Sequence, residues 1–243
     1  VLCCGCPTPE EEDRRRLSRE RKALTNERTR HVNRIKELLF DQGVVSYEPL
    51  RRDRRKCLEE LTTGDGRPLP VHLKLQIGRE LERLELLIEQ IKAVEAERDA
   101  MLAAAEAVSP APAMLLNLKG IGPEFAPVLW SEGLSRHFDN GRKLAAYAGL
   151  APTPWQSGSI DHDQAVSKSG NPRLRATLIQ IAWLGLHHQS RSALTLWFQD
   201  RVRRSGERLK KTTNVALARK LLVALWKHIN AGVVIEGVMM KAA

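Results

Sequence analysis

Two short stretches of this chain have the residue types and spacing to grip a phosphate. The first is Leu116-Asn-Leu-Lys-Gly-Ile-Gly-Pro123, followed by an apolar run through Phe125, Val128 and Leu129. Two glycines allow a tight backbone turn, and a helix starting behind them offers unpaired N–H groups to an anion. Lys119 adds a cation beside them. The pattern reads as a helix-hairpin-helix near residues 114–130, with Lys119, Gly120 and Gly122 as contacts to a DNA backbone rather than to bases. A plain helix–helix turn is the alternative that so short a motif leaves open. The second stretch is Ser167-Lys-Ser-Gly-Asn-Pro-Arg-Leu-Arg175. Asn171 is a good N-cap and Pro172 suits the first helical position, so a helix opens here and runs towards His188. Lys168, Arg173 and Arg175 then crowd the positive end of that helix. An anion would relieve the cluster, and a solvated basic end is the alternative. Lys168, Asn171, Arg173 and Arg175 are therefore further candidate DNA contacts.

The whole chain carries the same bias. Lys and Arg number 39 against 29 Asp and Glu, a formal net charge of +10, which favours a polyanionic partner through counterion release. Further basic clusters occur at 51–56 and 201–211. A membrane role is excluded on two grounds. No apolar run approaches the roughly 20 residues that a spanning helix needs, and the basic residues do not lie opposite a strongly apolar face. With no basic-then-apolar leader at its start, the chain reads as cytoplasmic. Cys3, Cys4 and Cys6 lack the paired spacing of a zinc site and read as reduced thiols. The first residue is Val1, which suggests a start inside a longer gene product.

The elements that must position these residues read as helices throughout, an all-α fold. Aromatics are scarce and alternating β-branched runs are absent. Residues 1–9 read as a disordered remnant and 10–106 as a long helical, coiled-coil-like hairpin. In its first helix Leu24, Val32, Ile35 and Leu39 fall near helical spacing, and Gly43 is a stop signal. In its second, Ile77, Leu81, Leu84, Ile88 and Ile91 step by four, three, four and three, with Glu80, Glu82, Arg83, Glu85 and Glu89 on the flanks. An antiparallel hairpin with the first helix is favoured over a dimer contact or an ordinary bundle helix. Ser109 to Pro112 reads as a linker. Residues 110–243 read as a compact helical domain ending in a helix from about Thr213 to Ile229, with Leu217, Leu221, Leu225 and Ile229 on one face.

The motifs taken in series are more specific than any one of them. GIGP, AYAGLAP (Ala146–Pro152), Ser157-Gly158, SKSGNPRLR and ARKLLVALW (Ala218–Trp226) occur in this order. The series resembles the C-terminal domain of the DEDD-type, Piv-like insertion-sequence transposases, and the basic stretch from Glu10 resembles the segment behind that family's catalytic domain. The resemblance implies DNA transposition or site-specific recombination. It implies that Ser157 is the nucleophile, attacking a phosphodiester to form a transient phosphoserine link. It also implies an N-terminal RuvC-like domain whose four acids bind Mg2+. The expectation is that this domain is missing here, that the chain alone binds no cofactor and cuts no strand, and that Glu10 to Asp13 are helix-start acids rather than metal ligands. Asp161, His162 and Asp163 lie close to Ser157 in sequence without forming a recognisable triad. The expected partners are DNA, an element-encoded guide RNA and further copies of the chain in a synaptic complex. Two rivals stand beside this reading: a helix-hairpin-helix module that holds DNA without chemistry, and an inactive fragment of a decayed mobile element.

Overall fold

The computed structural model describes residues 8–106, 109–157, 160–167 and 169–241. Cys3, Cys4 and Cys6 lie outside them, as do Gly158 and Lys168. The chain divides into two compact units. One is Arg16–Arg98, and the other runs from Asp99 onward and includes the start of the first helix up to Arg15.

The Arg16–Arg98 unit is built on two long helices, α1 (Pro9–Phe40) and α3 (Val71–Glu106). Arg21 meets Glu95 at 2.6 Å and His31 meets Glu80 at 2.5 Å. Numbers rise along one helix as they fall along the other, so the pair is antiparallel. Gly43 takes φ +74 and ends α1, while the N–H groups of Gly43 and Val44 close onto the carbonyls of Phe40 and Leu39. Ile35 and Leu39 meet Ile77, Leu81 and Leu84, and all five are fully buried. Burying each contributes about 1.5–3 kcal/mol. The segment between the long helices, in which the sequence shows only crowded arginines, folds a short α2 (Arg54–Glu60), whose Leu58 joins this core. Tyr47 donates to the Arg54 carbonyl at 2.8 Å, and burial pushes its hydroxyl pKa up to about 12.

Glu80 departs from its expected place on an exposed flank. It is 3% exposed, and its carboxylate gathers His31, Arg34 and Arg83. Burial alone would raise its pKa, but the hydrogen bonds from His31 and Arg34 outweigh burial and hold it below the usual carboxylate range.

The second unit is a helical cluster around α7 (Pro172–His188) and α9 (Lys210–Ala231). Leu174, Leu178 and Ile181 on α7 pack against Leu217, Leu222 and Leu225 on α9. The Asn214 amide donates to the Ile179 carbonyl at 3.1 Å, which pins the two helices together. Leu221 and Ile229, expected on the buried face of α9, are only partly covered. The buried face of the first turns includes Ala218 instead. Ala111 and Pro112, read from the sequence as linker, open α4 (Ala111–Leu116) and are buried. After the glycine turn, α5 (Ala126–Leu129) is a single turn that runs into a π-helical turn, Trp130–Leu134. Helices α6 (Gly141–Tyr147) and α8 (Ala193–Ser205) complete the unit, capped by Asn140 and Ser192.

Among the described residues one hairpin departs from the expected all-helical reading: β1 (Pro152–Ser157) pairs antiparallel with β2 (Ile160–Val166), with an irregularity between Pro152 and Pro154. Two prolines in six residues argue against a strand in sequence, yet an edge hairpin with a bulge tolerates them. The fold is all-α with this hairpin added.

A candidate site for handling nucleic acid

Helix α7 organises the expected contacts into two groups. Its 17 residues span about 25 Å at 1.5 Å per residue. Asn171 and Arg173 lie at its start, with Arg175 in its first turn, and Lys119, Gly120 and Gly122 gather near its end. The described candidates thus fall at the two ends of one helix and not into one cluster.

At the start of α7 the Asn171 side chain accepts from the N–H groups of Arg173 and Leu174, at 3.0 and 3.1 Å, so the cap forms as the sequence predicts. Arg173 is exposed. The AYAGLAP and SKSGNPRLR motifs meet here. Asn171 N–H donates to the Tyr147 carbonyl at 2.7 Å. Gly149, at φ +65, lies beneath the Arg175 guanidinium. A Cβ on Gly170 would collide with Gly149 N and Tyr147 O, so only glycine lets the two loops approach this closely. The β hairpin rises from this junction, where Ser167 N–H donates to the Ala151 carbonyl at 3.0 Å. Ser157 pairs with Ile160 at the far end of the hairpin, and Asp161 and His162 follow in register opposite Gln156 and Trp155. The side chains of Ser157, Asp161, His162 and Asp163 lie outside the described part of the structure.

Behind the junction is a polar cluster that sequence reasoning did not find. Glu132, 1% exposed, accepts from the Asn171 amide at 2.9 Å. Arg15 Nε lies 3.7 Å from the same carboxylate oxygen and donates to the Ser131 carbonyl at 3.0 Å. Arg15 Nη2 and Asn171 Nδ2 both reach the Tyr147 hydroxyl at 3.4 Å. Gly133 completes the fit, since a Cβ there would lie 2.7 Å from Leu174 Cδ2. The one available signal was a lone acid inside the apolar run Val128–Leu134. Glu11 and Thr8 form a reciprocal capping box at the start of α1, and Glu12 pairs with Arg15. These acids serve the helix start and its arginine.

At the end of α7 the glycine turn is woven into the domain. Gln189, 8% exposed, donates its amide to the carbonyls of Lys119 and Met239, at 2.7 and 2.8 Å, and accepts from Met239 N–H at 2.7 Å. Lys119 N–H is itself bonded to Met239 O. Gly120 has φ +94 and faces His188, whereas Gly122 is outside the left-handed region. The Lys119 side chain is exposed, and Lys241 Nζ caps the Ile121 carbonyl at 2.9 Å. Among the described residues no three His, Cys, Asp or Glu side chains converge as a metal ion requires. Glu132, the buried acid nearest the junction, is committed to Arg15 and Asn171. No described helix is long and apolar enough to cross a membrane.

Comparison with known proteins agrees with the motif series. Residues 113–197 match the family model described as Transposase IS116/IS110/IS902 family. The chain is 76% identical over 244 residues to a Sinorhizobium fredii protein, y4rJ, named as a transposase, an alignment covering 97% of this chain and 62% of that protein. It is 29% identical over 214 residues to a Pseudomonas aeruginosa protein named as a family 20 transposase, covering 86% and 61%. It is 28% identical over 237 residues to the transposase for insertion sequence element IS1328 of Yersinia enterocolitica, covering 93% and 66%. The chain therefore spans between three fifths and two thirds of the length of these three relatives. Through residues 113–197, which hold the glycine turn, the hairpin and α7, the chain is similar to the IS116/IS110/IS902 family of transposases.

Proposed function

We propose that this chain is the DNA-handling, serine-bearing part of an insertion-sequence transposase. One observation carries the reading. The segment that matches the family joins the Ser157 hairpin to the basic start of α7 through the Gly149–Gly170 contact. Phosphates bound by Arg173 and Arg175 would then lie beside the root of the strand that carries the nucleophile, with Lys168 adding charge and Asn171 keeping the helix start in place. Lys119 and the Gly120–Gly122 turn would hold a second stretch of backbone about one α7 length away.

In this reading the Ser157 oxygen attacks phosphorus. A P–Oγ bond forms, the bond to the leaving sugar oxygen breaks, and a transient phosphoserine holds the strand. A hydroxyl from the second strand then attacks the same phosphorus and releases the serine. Serine is a weak nucleophile at neutral pH and its proton must pass to a base. Charge stabilisation by Mg2+, which the family implies, would be held by acids outside the described residues, because those described do not fit a metal. The guide RNA and further copies of the chain belong to the same proposal, supported by net charge and family alone.

The test uses Ser157→Ala in a transposition-competent protein that contains this chain. Strand exchange and covalent protein–DNA adducts should vanish, while DNA affinity stays within about threefold, since phosphate contacts dominate such an interface. Normal recombination by this variant would remove the serine from the mechanism. Binding itself should fall about a thousandfold between about 50 and 200 mM salt, and a salt-independent affinity would overturn the phosphate-based interface.

A further inference from the structure

We infer that Glu132 is a positioning residue for the serine-bearing hairpin, acting through the Asn171 amide at the hairpin's root. The inference rests on the reading of Ser157 given above. An asparagine side chain has an acceptor end and a donor end of nearly equal shape. To cap α7, Oδ1 must face Arg173 N–H and Leu174 N–H, and it does. Nδ2 must then point back into the domain, where it meets Glu132 Oε2 at 2.9 Å. An ionised carboxylate only accepts hydrogen bonds, so Glu132 admits one orientation of that amide. Arg15 holds Glu132 in turn, and Tyr147 closes the ring of contacts while its carbonyl takes Asn171 N–H.

The same few residues are the root of β1 and β2. Tyr147 and Gly149 lead into β1, and Gly170 and Asn171 follow β2 after residues 167–169. Ser157 lies five residues beyond Pro152, about 17 Å along an extended strand. A tilt of about 10° at the root would move the strand's end by about 3 Å. A displacement of only about 1 Å can cost a factor of about a hundred in rate. Glu132 is too deeply buried to touch DNA, so its effect on reaction passes through this lever.

The polarity of the pair provides the test. Asn171→Asp keeps a good N-cap, because Asp and Asn cap equally well, but it replaces the amide donor that faces Glu132 with a second carboxylate. In the purified chain, amide hydrogen exchange across residues 152–166 should rise about tenfold or more, the scale of one buried hydrogen bond lost. The amides of Arg173 and Leu174 should stay protected. Adding Glu132→Gln to that variant supplies the missing donor with reversed polarity and should restore slow exchange. Unchanged exchange in Asn171→Asp, or no rescue in the double variant, overturns the inference. If Asn171→Asp fails to fold, the double variant must recover the fold, and its failure to do so also overturns it.

In a transposition-competent protein with DNA at saturating concentration, Asn171→Asp should slow strand exchange about a hundredfold, and the double variant, which keeps the added charge beside the phosphate site, should recover most of the rate. Ser157→Ala in parallel separates the two claims. Recombination that survives Ser157→Ala defeats the serine reading and leaves the hydrogen-exchange result to decide the role of Glu132.

Discussion

The basic cluster at 51–56 and the cations at the two ends of α7 are used differently, while the run at 201–211 resembles the former, with Arg203 and Arg204 on Asp200 and Lys210 on Glu207. In the Arg16–Arg98 unit the cluster at 51–56 is answered from within. Arg54 and Arg55 both bind Glu85, Arg51 binds Asp53, and Lys56 lies 3.9 Å from Glu60. In the second unit, among the described residues, neither Lys119 nor Arg173 has a carboxylate partner, although both are exposed. A crowd of arginines in sequence is therefore not by itself a binding surface. What decides is whether acids reach it in space, and Glu85 reaches Arg55 from 30 positions away. Two glycines show a second contrast. Gly78 stands near the start of α3, where a Cβ would meet nothing within 4 Å, whereas Gly170 sits where a Cβ would strike backbone.

Gly170→Ala should bring the largest change. The obstructing atoms are main chain and cannot rotate away, so the cost is about 2–3 kcal/mol, typical of forced overpacking. Thermal unfolding would measure it, and a variant as stable as the parent would mean that the two loops separate freely. The charge comparison comes next. Lys119→Ala with Arg173→Ala should weaken binding to all sequences alike and reduce the salt slope by about two, one per phosphate contact. Arg51→Ala with Arg55→Ala should change affinity by no more than about threefold, since those cations are already engaged. Equal losses from both pairs would erase that distinction.

The acid dependence of the first unit should follow. Arg55 hydrogen bonds hold the Glu85 carboxyl below its usual range, and Glu80 is held low despite burial. A depressed folded-state pKa contributes stability above the ordinary carboxylate value, which is lost as pH falls through the lowered one. Circular dichroism melts from pH 6 downwards should show Tm falling only below about pH 4. Glu80→Gln should flatten that fall, and an unaltered acid profile would show that the His31–Arg34–Arg83 cluster is not responsible. Gly78→Ala should give the smallest effect and the opposite sign, a gain of about 1 kcal/mol from helix propensity in open space.

What the sequence revealed depended on how local the cause was. The stripe from Ile77 to Ile91 and the Asn171-Pro172 helix start are set by residues within a few positions of one another, and both are found as read. The β hairpin was hidden because Pro152 and Pro154 mimic a loop, while its stability comes from a junction that includes Tyr147 and Gly170. Glu80 looked like a flank residue because heptad spacing does not register a histidine on the facing helix. The Glu132 cluster was illegible for the same reason: Asn171 lies 39 positions from Glu132, and Arg15 lies 116 positions from Ser131. The length of α7 was legible in the sequence, but that Lys119 gathers at its far end follows from Gln189, whose bonds to Lys119 and Met239 the spacing of the motifs does not encode.

Gln189 also sets a schedule for folding. Its amide closes the glycine turn only when Met239 is present to take both its donor and its acceptor, and Lys241 reaches Ile121 across 120 residues. Contacts of that span form late, because loop closure must come first. At about 5–20 residues made per second, the turn waits about 6 to 24 seconds after its synthesis for the segment that completes it. During that interval Lys119 N–H and the Ile121 carbonyl lack the partners that satisfy them, and a nascent chain stalled before Met239 would present this unclosed turn to chaperones and proteases.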